Sequence, residues 1–197
     1  MTSESVWEEI VELYSKKAGK KYMCLNGVSH RQHALQTYAR MKKEKPDNIK
    51  LQISALLHNI GHLLDETKDS LTGKPDRPEA RGALWLMNKG LPLSVVMPIR
   101  HHINAERYQY FKDPKSKLGK DSCFSPETLM DHQEADLFSK CPYFEQAMLL
   151  SRCCEASDED HNLPNLKDLK DLKDKFLFCF PNVEIPNLKG YYHPKFV

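Results

Sequence analysis

The run Ala55-Leu56-Leu57-His58-Asn59-Ile60-Gly61-His62 carries two histidines four residues apart in otherwise apolar surroundings. Positions i and i+4 share a helix face, so the spacing predicts both imidazoles on one side of one helix. Around the run, Ile49, Leu51, Ile53, Leu56, Leu57, Ile60 and Leu63-Leu64 are apolar almost all round. That is the pattern of a helix buried at the centre of a bundle. A neutral imidazole on such a helix needs a partner, which is a metal, a carboxylate or another polar group. One histidine there reads as a satisfied core residue. Two on one turn, with His33 on the helix before and His102 on a helix after, read as a site.

The segments on either side are helical in pattern. Residues 5–17 place Val6, Ile10, Val11 and Leu13-Tyr14 on one side, with Glu8-Glu9 near the positive end of the helix dipole. A second helix is expected over 29–43, capped by Ser29, and Pro46-Asp47 separates it from a third that begins near Asn48. Residues 66–78 read as a polar loop, followed by helices over about 79–88 and 92–104. Gly90 is a natural stop between them and Pro92 a natural start. Residues 108–124 read as a loop rich in Lys, Asp and Ser, and Ser125-Pro126-Glu127 as the opening of a further helix. Residues 142–157 give one more helix, and Leu166, Leu169, Leu172 and Phe176 form an apolar docking stripe. No segment alternates convincingly as a strand. The expectation is an all-α fold.

At 197 residues the chain suits one domain with a full core. The expected division is a single domain over 1–197, with a core of about 22–172 and an irregular tail of about 177–197. The formal charge of +2 and the short basic clusters argue against a nucleic-acid partner. No apolar run approaches the roughly 18 residues of a membrane span, and the polar, acidic amino terminus is unlike a secretory signal. A cytoplasmic protein without a membrane partner is the expectation. The six cysteines form no C-x-x-C pair, and Cys153-Cys154 are adjacent. Reduced, mostly buried thiols without a function are expected.

Leu-Leu-His-Asn-Ile-Gly-His resembles the signature of the HD superfamily, in which a His-Asp pair on a central helix binds metal. The likeness is closest to the diiron phosphonate oxygenases related to myo-inositol oxygenase. Val28-Ser29-His30-Arg31-Gln32-His33-Ala34-Leu35-Gln36 resembles their first ligand helix. Arg100-His101-His102-Ile103-Asn104-Ala105-Glu106-Arg107-Tyr108 and Ser151-Arg152-Cys153-Cys154-Glu155 resemble the segments that carry the later ligands. The likeness runs from about Tyr22 to Leu172 and implies an HD-domain helical bundle.

Carried over residue by residue, the resemblance implies a first metal site of His33, His58 and Glu155. The bridging position reads Asn59 in place of an aspartate, and the second-site positions read Pro78 and His102. Two imidazoles and one carboxylate suit a single non-heme iron or another divalent ion, whereas the second site is too depleted for one. The resemblance makes His62 an acid, base or pocket wall, and Arg152 the partner of an anionic substrate group. Tyr22 and Asn26 fall where the family covers the iron and meets the substrate's amino group. Glu106 stands where the family has a substrate-contacting lysine.

Three functions follow as expectations. The first is a mononuclear metalloenzyme of the phosphonate-oxygenase type, with at most one iron, acting on a small anionic organic molecule. The second is a metal-free pseudoenzyme that binds a small molecule or a protein partner. The third is a metal-dependent phosphohydrolase of the wider superfamily, since metal-bound water is acidic enough at neutral pH for hydrolysis. His30, His101, His132, His161 and His193 are expected at the surface or behind the ligands, and Trp7 and Trp85 in the core.

Overall fold

The computed structural model describes residues 2–17, 28–64, 77–114, 129–156 and 167–181, with side chains at all of these except 156 and 167–171. Among them are eight α-helices, one short 3-10 helix and no strand. The chain is all-α. In order these are α1 (Ser3–Lys16), α2 (His30–Glu44), α3 (Ile49–Leu57), the 3-10 helix Ile60–His62, α4 (Pro78–Asn88), α5 (Leu93–Lys112), α6 (His132–Ser139), α7 (Phe144–Ala156) and α8 (Lys167–Cys179).

Short polar side chains start these helices where the sequence places them. Thr2 and Ser5 form a reciprocal capping box on α1, as do Ser29 and Gln32 on α2 and Asp131 and Glu134 on α6. Asn48 caps α3 by accepting from the Leu51 N–H at 3.0 Å. Gly90 ends α4 with φ at 82°, a left-handed conformation that glycine takes without a Cβ penalty.

The centre of the molecule is α3, in which every residue from Leu51 to Leu57 is buried. It packs against α2, α5, α7 and α8, while α1 lies on α8 and α4 on α5. The main apolar cluster gathers Val6, Ile10, Ile53, Leu56, Ile99 and Phe176, among others, around this helix. Of the expected docking stripe on α8, Leu172 and Phe176 are buried in that cluster, and Leu166 and the Leu169 side chain lie outside the described residues. Trp7 is core, as expected, and Trp85 is half-buried against the cluster. Pro98 lies inside α5 and lacks an N–H for the helix ladder. Close by, the Ser54 hydroxyl donates to the Val95 carbonyl at 2.9 Å and ties α3 to α5.

Two boundaries differ from expectation. The central helix does not continue to Leu64. It stops at Leu57, with His58 as its cap, and a 3-10 turn follows. Helix α5 runs on to Lys112, eight residues past the expected end at Asn104, because Tyr108 and Phe111 join a second apolar cluster with Phe138 and Phe144. The Tyr108 ring lies 5.8 Å from Phe138 and 5.1 Å from Phe144, edge to face. The predicted polar loop at 66–78 lies outside the described residues except for 77–78, and the helix opening at Ser125 does so entirely. The tail expected from 177 starts later, since α8 extends to Cys179, and 182–197 lie outside the described residues. Among the described residues no helix is long and apolar enough to cross a membrane.

Candidate metal centre

Three helices meet at the buried imidazole of His58. It sits at the end of α3, where its Nδ1 donates to the Ala55 carbonyl at 2.8 Å. That bond fixes the tautomer and leaves Nε2 as a bare acceptor. Nε2 of His33, on the first turn of α2, lies 3.1 Å from it. Sγ of Cys154, on the last turn of α7, lies 3.2 Å from His33 Nε2 and 3.5 Å from His58 Nε2. These three atoms converge closely enough to share one metal ion. Zinc bonds of about 2.0–2.1 Å to nitrogen and 2.3 Å to sulfur, at tetrahedral angles, imply edges of roughly 3.3–3.6 Å between ligand atoms. The triangle falls close to that size.

Burial is the main force on the His58 proton. It holds the imidazole well below its usual range, and the neighbouring His33 and His102 push the same way. His58 is therefore neutral at physiological pH. His102, on α5, stands perpendicular to His58 with ring centroids 5.4 Å apart, and its own Nδ1 donates to the Ile99 carbonyl at 2.6 Å. Burial lowers its proton affinity, while the backbone bond and the buried carboxylate of Glu79 act in the opposite sense. The Glu79 carboxylate, one residue past Pro78, therefore lies within electrostatic reach of His102. Its Oε1 is also 3.2 Å from Arg77 Nε.

Cys154, and not Glu155, supplies the third converging atom. The Glu155 carboxylate accepts from the Ser151 hydroxyl at 3.0 Å and from Gln109 Nε2 at 3.3 Å, linking α7 to α5. One residue is a rotation of about 100° on a helix, enough to exchange a carboxylate for a thiol at the centre. Cysteines were expected to have no role here, and only the spacing Ala147, Ser151, Cys154 on the inner side of α7 hints otherwise.

Asn59 does not face the cluster either. Its Oδ1 accepts from the Tyr14 hydroxyl at 2.8 Å, which also reaches the Leu56 carbonyl at 2.7 Å, and its Nδ2 donates to the His30 carbonyl at 2.8 Å. The amide braces α1, α2 and α3 together, and both of its ends are committed. An aspartate here would set a carboxylate oxygen against the His30 carbonyl in a site only 2 % exposed. Asn59→Asp is expected to lower the unfolding free energy by about 2–4 kcal/mol, measured by urea denaturation. An unchanged midpoint would contradict the bracing role.

Of the remaining expected site residues, His62 is exposed and lies against His30, with ring centroids 5.0 Å apart. The end of α3 at Leu57 breaks the four-residue periodicity that was to bring His62 beside His58. Arg152 is exposed on the outer side of α7, while Tyr22 and Asn26 lie outside the described residues. His101, expected at the surface or behind the ligands, is buried beside Phe138, and desolvation pushes its pKa down to about 4.

No protein-family model matches the chain. One similar protein is "Uncharacterized protein L432" of Acanthamoeba polyphaga mimivirus, 26% identical over 181 aligned residues, with 78% of each chain covered.

Proposed function

We propose that His33, His58 and Cys154 hold a single zinc-like divalent ion, and that the chain is a mononuclear metal-dependent hydrolase of small anionic phosphoesters. The observation that carries this is the triangle of Nε2, Nε2 and Sγ atoms with sides of 3.1, 3.2 and 3.5 Å. Thiolate and imidazole donors together favour zinc over iron, which in oxygenases is held by two histidines and a carboxylate. Three protein ligands leave a fourth position open, the arrangement of catalytic rather than structural zinc. When bound, the ion would supply Lewis acidity and an acidified water. The phosphoester class rests on the resemblance to the HD superfamily.

The chain's own residues would set the conditions for that chemistry. The Ala55 carbonyl holds His58 in the tautomer that presents Nε2. The same bond from His102 to Ile99 leaves His102 Nε2 able to accept a proton, next to the cluster. Ser151, Gln109 and Glu155 fix the last turn of α7 and so the position of the Cys154 sulfur.

The test is metal content per chain, by inductively coupled plasma mass spectrometry, on protein purified without chelator. About one zinc per chain is expected, together with hydrolysis of p-nitrophenyl phosphate that a chelator removes. No metal after anaerobic reconstitution with zinc or iron would overturn the proposal and leave a hydrogen-bonded triad. One iron, with zinc refused, would return the site to oxygen chemistry.

A further inference from the structure

Helix α1 reaches the end of α3 through one hydroxyl. Its buried face carries Val6, Trp7, Ile10 and Tyr14, and Tyr14 is fully buried. The Tyr14 hydroxyl donates to the Leu56 carbonyl at 2.7 Å and to Asn59 Oδ1 at 2.8 Å. Burial pushes the phenol pKa upward, so the group keeps its proton and stays a donor. The last carbonyls of a helix have no partner within it. In the last turn of α3 two of them are met by side chains, Ala55 by His58 Nδ1 at 2.8 Å and Leu56 by Tyr14. In a continuing α-helix these carbonyls would accept from the Asn59 and Ile60 N–H groups, four residues on. Instead α3 ends at Leu57, Asn59 takes φ −99° and ψ 9°, and the 3-10 turn begins at Ile60. The stop leaves the Ala55 carbonyl to the His58 ring, and that bond presents Nε2 toward His33 and Cys154. The donor at the stop comes from 42 residues earlier in the chain.

We infer that Tyr14 is a positioning residue for the metal centre: its hydroxyl holds the end of α3 at Leu57 and, through that stop, sets the His58 ligand. The first half stands on the hydrogen bonds alone, and the second rests on the metal reading above. Tyr14 acts through the backbone of α3 and not on the ion. Without the hydroxyl, the Leu56 carbonyl and Asn59 Oδ1 lose their donor from α1 in a buried place, which is costly. The nearest backbone donor for Leu56 is the Ile60 N–H, one turn on. Helix α3 should then run on toward Ile60, the Ala55 carbonyl pass to the Asn59 N–H, and His58 lose the bond that orients it.

The experiment compares the full wild-type chain with Tyr14→Phe and with 4-aminophenylalanine placed at position 14 by stop-codon suppression. Zinc affinity is measured by competition with a chromogenic chelator, ligand geometry by the absorption spectrum of bound cobalt(II), and the metal-free backbone by carbon chemical shifts. Tyr14→Phe should bind zinc about 10–100-fold more weakly and alter the cobalt bands, as when a group behind a ligand is removed. In the metal-free chain its shifts at His58, Asn59 and Ile60 should move toward helical values. The aromatic amine, a weaker donor than the phenol, should fall between the two. If Tyr14→Phe does not fold, that intermediate variant against wild type decides. Ser54→Ala removes a buried hydroxyl of the same helix that bonds the Val95 carbonyl away from the stop, and it should leave zinc affinity and the cobalt spectrum unchanged. Equal zinc affinity with and without the phenol, or an equal loss in Ser54→Ala, would overturn the positioning role. Unmoved shifts at His58 to Ile60 would overturn the helix stop. A wild-type chain that takes up no zinc would remove the metal half, and displaced shifts would still support the stop.

Discussion

Gly61→Ala is expected to lower the melting temperature by more than about 8 °C. A Cβ on Gly61 would lie 1.8 Å from the Pro78 carbonyl oxygen and 2.9 Å from the Gly82 backbone nitrogen. Both are backbone atoms, so no side-chain rotation relieves the clash. Either the 3-10 turn or the start of α4 must move. That move would also pull the Gly61 carbonyl from Arg81, whose guanidinium donates to it at 2.8 and 3.1 Å. Ordinary overpacking costs about 1–3 kcal/mol, and a backbone collision of this depth should exceed about 4 kcal/mol. Against a total stability of about 5–15 kcal/mol, this lowers the melting temperature by more than about 8 °C or prevents folding. Gly90→Ala is the internal comparison. Its cost is only the left-handed backbone, about 1–2 kcal/mol. Thermal unfolding followed by circular dichroism should rank the two variants in that order, and equal melting temperatures would show that the Gly61 contact is not close.

The second large effect concerns the ligands. His58→Ala and Cys154→Ala are each expected to bring bound metal below about a tenth of an ion per chain, while Glu155→Gln retains it. Changing a residue behind a ligand costs about 10–100-fold in metal affinity, and removing one of three ligands should cost more, on the order of 1000-fold. The glutamine keeps the hydrogen bonds to Ser151 and Gln109, so it also keeps the last turn of α7 in place. The pair Cys154→Ala and Glu155→Gln therefore separates a thiol ligand from a carboxylate ligand. Metal lost from Glu155→Gln and kept by Cys154→Ala would reverse the assignment. Circular dichroism on each variant distinguishes loss of metal from loss of fold.

Much of the architecture was legible because it depends on neighbours in the chain. Ser29 with Gln32, Asn48 before an apolar run, and Gly90 with Pro92 each announce a helix end within a few residues. The almost all-round apolar character of the run from Ile49 likewise marked the central helix. His33 and His58 were set together by the family resemblance and not by local spacing, which paired His58 with His62, and the structure brings the Nε2 atoms of His33 and His58 together. What stayed hidden depends on distant partners. Nothing near Leu57 signals the end of α3, since apolar residues continue to Leu64. The extension of α5 requires Phe138 and Phe144, which lie far along the chain. The role of Asn59 is set by Tyr14, 45 residues away, and by the backbone of His30. The exchange of Glu155 for Cys154 turns on the rotation of α7 about its axis, which packing against α2 and α5 determines.

The three converging atoms are far apart along the chain. His33 and His58 are separated by 25 residues, and His58 and Cys154 by 96. An ion shared among them would close one short loop and one long loop at a single point. The entropy of loop closure grows only slowly with length, as about (3/2)RT ln n, so the long loop costs little more to close than the short one. Such an ion acts as a cross-link on the unfolded ensemble. It would fasten α7 to the earlier helices, so that the docking of α7 is strengthened by whatever ion the centre holds.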